Sequence, residues 1–358
     1  INGMIQVNNV QPNELFVNEA YPAENIDQPI VLNNLTSMTG GGYIDISGGP
    51  VTLEIPEVKD RFVVYQFIDV FTHNFFYSGT ITDGGEGGRY ILYNNTQEVP
   101  DDPTATPVLM EGDLAILSCR MDIKDRSELD KVLGLLNQMK IPDAPSTNRE
   151  YPEYSKDKAF SPDFVEYIDA LLYEVPSGEE ALFKRFTRIG VMNEIELSAS
   201  ETKEVQAGID SAFAAIKAST KDAMIGNNWI GFTEMFGNRE FLNDDYMKRA
   251  LGAHMGLWGN SKEQAIYFAL ETNGSGKLTF TSDNFPPLTD IGFWSVTAYD
   301  GDYYIMPNEY DAYVLTMDKM KIAEDGSLTI TFSPTPQDGN WLYTSGDDLV
   351  ILLRAYAA

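Results

Sequence analysis

The hydrophobic period of this chain runs from two to about 3.6 residues and back to two, and few architectures accommodate that order. From residue 28 to about Ser118 the pattern is β. VTLEIP (51–56) alternates apolar and polar positions, whereas RFVVYQFIDVF (61–71) is apolar on both faces, as a strand covered from two sides must be. Gly48, Gly49 and Pro50 mark the turn before these strands. TDGGEGGRY (82–90) supplies residues that tolerate positive φ and predicts a hairpin loop.

After Arg120 the period becomes helical. RSELDKVLGLLNQMK (126–140) offers Ser127 as an N-cap and places Leu129, Val132, Leu133, Leu135 and Leu136 on one face. The Pro-punctuated stretch 141–152 closes this unit. Helices are expected over 161–175, 177–191 and 198–219, the last two opened by capping boxes Ser177/Glu180 and Ser198/Glu201, and from Asp244 to about Gly256. Past Gly259 the segments AIYFALET, KLTFTS, FWSVTAYD, SLTITFS and DLVILLRAY restore the period of two between turn sequences. The expected fold is therefore mainly β with a helical segment: two antiparallel, jelly-roll-like β-sandwich domains flanking helices. Its parts are an N-terminal extension (1–27), a first sandwich with a terminal helix (28–145), a helical linking segment (146–259) and a second sandwich (260–358). Tyr65, Phe67, Ile68, Phe293, Trp294 and Val296 are expected in the cores.

Fifty-four Asp and Glu against 25 Lys and Arg give a net charge of −29, which repels phosphate backbones and anionic lipid, so nucleic acid is not an expected partner. The single cysteine, Cys119, lies in the apolar run LAILSCRM and excludes an intrachain disulfide framework or a Cys-rich zinc site. No run of about 18 apolar residues is present, so no membrane span is expected. The chain begins at Ile1, which fits a removed leader or a trimmed start equally, and sequons begin at Asn34, Asn94 and Asn273. No G-x-S-x-G elbow, Walker A loop or H-E-x-x-H helix occurs, and neither a cofactor nor a metal is expected.

Several long stretches resemble a two-domain family found in bacteria and some viruses, whose halves are called domains of unknown function 1254 and 1214. In the first half the resemblance rests on Asp45-Ile46-Ser47, the Gly49-Pro50 turn, and the long strand leading to Asp69 and Thr72-His73-Asn74-Phe75. LFKRFTRIGV (182–191), NNWIGFTEMFGNREFLNDDYMKRALGAHMGL (227–257) and residues 265–356 are similar to the family's helical segment and C-terminal domain. Three positions depart from the pattern: Thr36 stands where the family carries an aspartate, Thr39 where it carries a tyrosine, and His73 where it carries an asparagine. The resemblance implies the fold and assigns no chemistry.

Two sets of residues carry candidate chemistry. Asp69, His73 and Asn74, at the end of a buried strand, have the composition of a general base with a carboxylate that orients it. The simpler expectation for the histidine is a hydrogen-bonded residue at a strand end. His254, the other histidine, falls on an amphipathic helix. Trp294, Tyr299, Asp300, Tyr304, Asn308 and Asp311 combine aromatic platforms with acids, as a carbohydrate-binding cleft requires, although a Tyr-Asp-Gly turn explains them too. Acidic turns at 83–86 and 346–348 lack the spacing of a calcium loop. The leading expectation is a structural or interaction protein that self-associates as a homo-oligomer or binds a ligand, and that is secreted, periplasmic or associated with a cell surface or virion. The alternative is an enzyme acting on a carbohydrate or small polar metabolite, with an acid/base site between the domains.

Overall fold

The computed structural model describes residues 10–24, 31–147, 149, 153, 155–175, 179–191, 197–243 and 245–358. The first half supplies β1 (Leu15–Val17), β2 (Ser37–Asp45), β3 (Val51–Ile55), β4 (Val63–Asp69), β5 (Asn74–Gly79), β6 (Gly88–Tyr93), β7 (Ala105–Leu109) and β8 (Leu114–Asp122). They form an antiparallel five-stranded sheet, β1-β2-β8-β4-β5, and a three-stranded sheet, β3-β6-β7. β3 shows the pattern that makes a sandwich: Val51, Leu53 and Ile55 point inward while Thr52 and Glu54 are only half-buried.

The second half supplies β9 (Met224–Gly226), β10 (Trp229–Gly231), β11 (Ala265–Asn273), β12 (Gly276–Phe280), β13 (Phe293–Asp300), β14 (Val314–Thr316), β15 (Leu328–Ser333), β16 (Asn340–Tyr343) and β17 (Asp348–Tyr356). These make a six-stranded sheet, β14-β13-β17-β11-β10-β9, covered by a three-stranded sheet, β12-β15-β16.

The doubly apolar strands are explained by stacking. Val63, Tyr65 and Phe67 of β4 face the first three-stranded sheet, in a core with Leu53, Leu92 and Leu117. Val64 faces the other way, into a core shared with Ala269 and Leu352 of the second half. In β17, likewise, Leu349, Ile351, Leu353 and Ala355 face the second three-stranded sheet, whereas Val350, Leu352 and Tyr356 face the first half. The molecule is thus four β layers deep, with the two larger sheets packed against each other. Tyr65, Phe67, Ile68, Trp294 and Val296 are buried, and half-buried Phe293 stacks on Tyr356 at 4.9 Å between ring centroids.

Five local expectations are corrected. Each three-stranded sheet contains one parallel pair, β6 with β7 and β15 with β16, so the sandwiches are not wholly antiparallel. The connections carry Pro100 and Pro103, and Pro334 and Pro336, which oppose the tight hairpin an antiparallel neighbour needs. Residues 80–87 form no hairpin: a short helix, Thr80–Asp83, carries the chain from the five-stranded to the three-stranded sheet. Asp83 holds that corner by accepting from Gly79 N, Gly85 N and Ser78 Oγ. At Gly85 φ is +72° and an added Cβ would lie 1.9 Å from Val58 O.

Asp125, not Ser127, caps the turn that leads into helix Leu129–Leu136. The span 161–175 breaks into Pro162–Phe164, Val165–Asp169 and Leu172–Glu174 instead of one helix. The Ser198/Glu201 capping box is present at the head of helix Ala199–Ser219, and helix Tyr246–Gly256 is capped by Asp245. Ser177 and Asp244 lie outside the described residues. β9 and β10 arise inside the span read as helical, joined through Asn227 and Asn228 at φ +49° and +63°, the turn geometry a two-residue hairpin needs.

Candidate functional site

β4 ends where Thr72, at φ +71°, turns the chain back into β5. Asp69 Oδ1 accepts from the backbone N–H of Phe71 and of His73 at 2.8 Å each, and its Oδ2 lies 2.9 Å from His73 Nδ1. The sequence spacing therefore does bring acid and imidazole together. His73 is only 1% exposed, and its Nε2 has no hydrogen-bond partner among the described residues. The corner is gripped by the helical segment: Arg239 Nη2 stands 3.9 Å from Asp69 Oδ2, and Arg249 donates to Phe71 O at 2.7 Å. Arg239 also pairs with Glu111 and Glu179.

Asn74 turns instead toward the second sandwich. Its Nδ2 donates to Gly259 O at 3.0 Å, and its Oδ1 accepts from Gln66 Nε2, which also reaches Gly259 O. Around this point a buried polar seam joins the halves. Arg120 donates to Gln66 Oε1 at 2.9 Å and across the seam to Trp258 O at 2.8 Å. Tyr77 OH accepts from Ser261 N at 2.8 Å. From the opposite side Arg354 donates to Tyr299 OH at 2.8 Å and to Leu32 O, while Tyr299 donates to Asn33 O. Each half thus sends one arginine to a backbone carbonyl beyond its own sandwich. Among the described residues neither arginine has a carboxylate within ion-pair distance. Burial holds the Tyr77 and Tyr356 hydroxyls well above the usual phenol range, so they stay neutral donors and acceptors. Gly259 is required for this approach, because a Cβ there would lie 2.2 Å from the Phe236 ring.

The C-terminal candidates do not converge. Trp294 and Tyr299 lie on opposite faces of β13: Trp294 packs on Phe280 in the outer core, and Tyr299 sits in the seam. Asp300 Oδ1 accepts from Asp302 N and Tyr304 N, and Asn308 Oδ1 from Tyr310 N and Ala312 N, both holding backbone turns. Asp311 is exposed at φ +51° and Tyr304 is half-buried. His254 is exposed. A groove of about 450 Å³, lined by Asn13, Leu15, Met139, Lys140 and Ile141 among others, includes none of these candidates. Gln66, Arg120 and Arg354 were not among the residues singled out from sequence. Their signal is a lone polar or charged residue inside an otherwise apolar strand, as in LAILSCRM and DLVILLRAY.

A second polar cluster ties the helical segment to the first sandwich. Glu174, almost wholly buried, accepts from Asp113 N at 2.8 Å, Leu114 N at 3.1 Å and Arg149 Nη1 at 3.0 Å. Burial outweighs these donors and pushes its carboxyl from 4.5 up to about 7. A carboxyl raised on folding contributes stability that is complete below about 4.5 and is lost as pH rises through about 7. Asp122, raised by burial to about 6, acts in the same direction. Denaturant midpoints are therefore expected to rise as pH falls from about 8 to about 5, and Glu174→Gln to flatten that slope. An unchanged slope would show that Glu174 is not the group titrating.

The fold and seam define a class, a double β-sandwich whose two larger sheets share a core. Residues 12–143 match the family profile described as Protein of unknown function (DUF1254), and residues 265–358 match Protein of unknown function (DUF1214). The chain belongs to the two-domain family that joins these halves. Among solved structures it is similar to the VPA0106 protein from Vibrio parahaemolyticus, with 17% identity, a TM-score of 0.71, and coverage of 99% of this chain and 90% of that one. An uncharacterized protein from Burkholderia cenocepacia aligns at 12% identity and TM-score 0.52, over 99% of this chain and 81% of that one. At such identities the likeness shows the fold alone. No curated protein matches the sequence.

Proposed function

We propose that this chain is a non-catalytic structural or interaction protein, secreted, periplasmic or carried on a cell or virion surface, whose double sandwich serves as a rigid scaffold for binding. The observation that carries this reading is the state of the Asp69–His73 pair. Both oxygens of the acid are engaged in the turn, and His73 is 1% exposed, so the pair holds a corner of the backbone and offers no open face to a substrate. Asp300 and Asn308 are likewise used in turns. The net charge of −29 suits a surface kept dispersed by self-repulsion. Cell fractionation that finds the chain only in the cytoplasm would contradict the location.

One observation favours the second reading, an enzyme acting on a carbohydrate or small polar metabolite: among the described residues His73 Nε2 is left without a partner, as a base awaiting a substrate proton would be. The two readings separate in His73→Gln. On the structural reading it lowers stability by about 1–3 kcal/mol through the lost bond to Asp69, and any turnover on a panel of glycosides and small esters is unchanged. Turnover that disappears in His73→Gln while the unfolding midpoint stays in place would establish the catalytic reading instead.

A further inference from the structure

Arg120 places a positive charge at the junction of the two halves with no acid to balance it. Its bonds go to neutral oxygens, Gln66 Oε1 and Trp258 O, and among the described residues no carboxylate stands within ion-pair distance. A guanidinium carries five N–H donors, so these two bonds leave donors to spare. Arg354 is 4% exposed and enclosed by Tyr299 and Leu32, whereas Arg120 is only half-buried.

The register shows where the opening lies. Ala115, Leu117, Cys119 and Met121 face the first core, so Ser118 and Arg120 face the second half. Arg120 lies opposite Val64 of β4 on one side and Thr39 of β2 on the other, and Ser118 likewise lies between Gln66 and Gly41. Val64 and Gln66 are fully buried, whereas Thr39, Ser118 and Arg120 are half-buried. The second half therefore seals the β4 side of Arg120 and leaves the β8–β2 side open. Half-buried Phe16 of β1, opposite Gly41, lies on that same face, because Leu15 and Val17 pack on the first core. Between Phe16 and Ser118 the row holds only Gly41, so the floor there is low. Thr39 Oγ1 accepts from Asn18 Nδ2 at 2.6 Å, which leaves its own O–H to donate.

A cation with spare donors, hydroxyls beside it and an aromatic ring across a low floor suit a small acid with an apolar body. The net charge of −29 repels a polyanion more strongly than a monoanion, which favours a single carboxylate. We propose that this crevice binds a small monocarboxylic acid, its carboxylate on Arg120 beside Thr39 and Ser118, and its apolar body over Gly41 against Phe16. The proposal rests on the binding-scaffold reading above and supplies its ligand class.

The probe is hexanoate, titrated calorimetrically into the full chain at about 0.15 M salt, where charges are screened beyond about 8 Å. Concentrations up to about 10 mM cover a millimolar dissociation constant. Hexanamide, the neutral counterpart, and sulfate are the controls. The expected result is saturable binding of hexanoate with a rising thermal midpoint, and no binding of hexanamide. Arg120→Gln should weaken binding at least about tenfold, because a charge-assisted fork is roughly twice as strong as neutral bonds. That replacement also disturbs the bond to Trp258 O, so Ser118→Asp is the second variant. It places a carboxylate on the same face, about 7 Å along the strand from Arg120, and should abolish binding in a chain that keeps its unfolding midpoint. Hexanoate that fails to bind, hexanamide that binds as well, sulfate that competes on equal terms, or a folded Ser118→Asp chain that binds as tightly as the parent would each overturn the site. None of these outcomes touches the non-catalytic reading, which fails only on turnover that depends on His73.

Discussion

Replacing Phe67 with Ala is expected to cost about 3–5 kcal/mol, the loss of a large ring's transfer energy together with the cavity it leaves. Phe67 is 0% exposed, sits in the middle of β4, and makes edge contacts with Phe75 and Phe76 at 6.2 and 5.2 Å between centroids. Its surroundings cannot collapse easily. β4 is hydrogen-bonded to β8 on one side and β5 on the other, and its second face is committed to the seam. Denaturant unfolding measures the effect. A loss below about 1 kcal/mol would mean that the site relaxes freely and that the first core is not packed as described.

Arg354→Ala is expected to cost about 4 kcal/mol and to loosen one half from the other. The guanidinium is always charged, is almost fully buried, and has no carboxylate within ion-pair distance among the described residues, so its donors must be satisfied by neutral oxygens. Charge-assisted bonds of this kind contribute about 1.5–3 kcal/mol, and the emptied volume adds a packing loss of similar size. Tyr299 keeps its bond to Asn33 O, but Leu32 O is stranded in the seam. Arg354→Met should be milder, because it keeps most of the volume and removes a charge that burial opposes. If Ala and Met variants are equally stable, the lost bonds to Leu32 O and Tyr299, and not packing, dominate at this position.

Much of the architecture was legible from hydrophobic period. The doubly apolar run 61–71 announced a strand with two covers, and the Asp69/His73 spacing put acid and imidazole at one turn. What periodicity could not reveal was the identity of the second cover. Val64 and Gln66 read as one more buried face, and only the tertiary arrangement shows that Ala269, Leu352 and Gly259 lie against it. Arg120 and Arg354 were visible as lone charges in apolar strands, but their acceptors, Trp258 O and Leu32 O, are backbone atoms that leave no trace in sequence. The Asn227-Asn228 turn was the opposite case. Its signal was present, but two strands of three residues are too short for alternation to register. The aromatic and acidic residues from Trp294 to Asp311 suggested a cleft because sequence proximity does not distinguish the two faces of β13.

The central claim, that the seam makes the two sandwiches one cooperative unit, is tested by unfolding the parent chain with two probes. All four tryptophans, Trp229, Trp258, Trp294 and Trp341, lie beyond the first sandwich, so their fluorescence reports the second half and the seam, whereas far-UV circular dichroism reports both halves. The account predicts coincident transitions with a common midpoint and slope in the parent, separating in Arg354→Ala. Two resolved transitions in the parent chain, with fluorescence following only one of them, would contradict it.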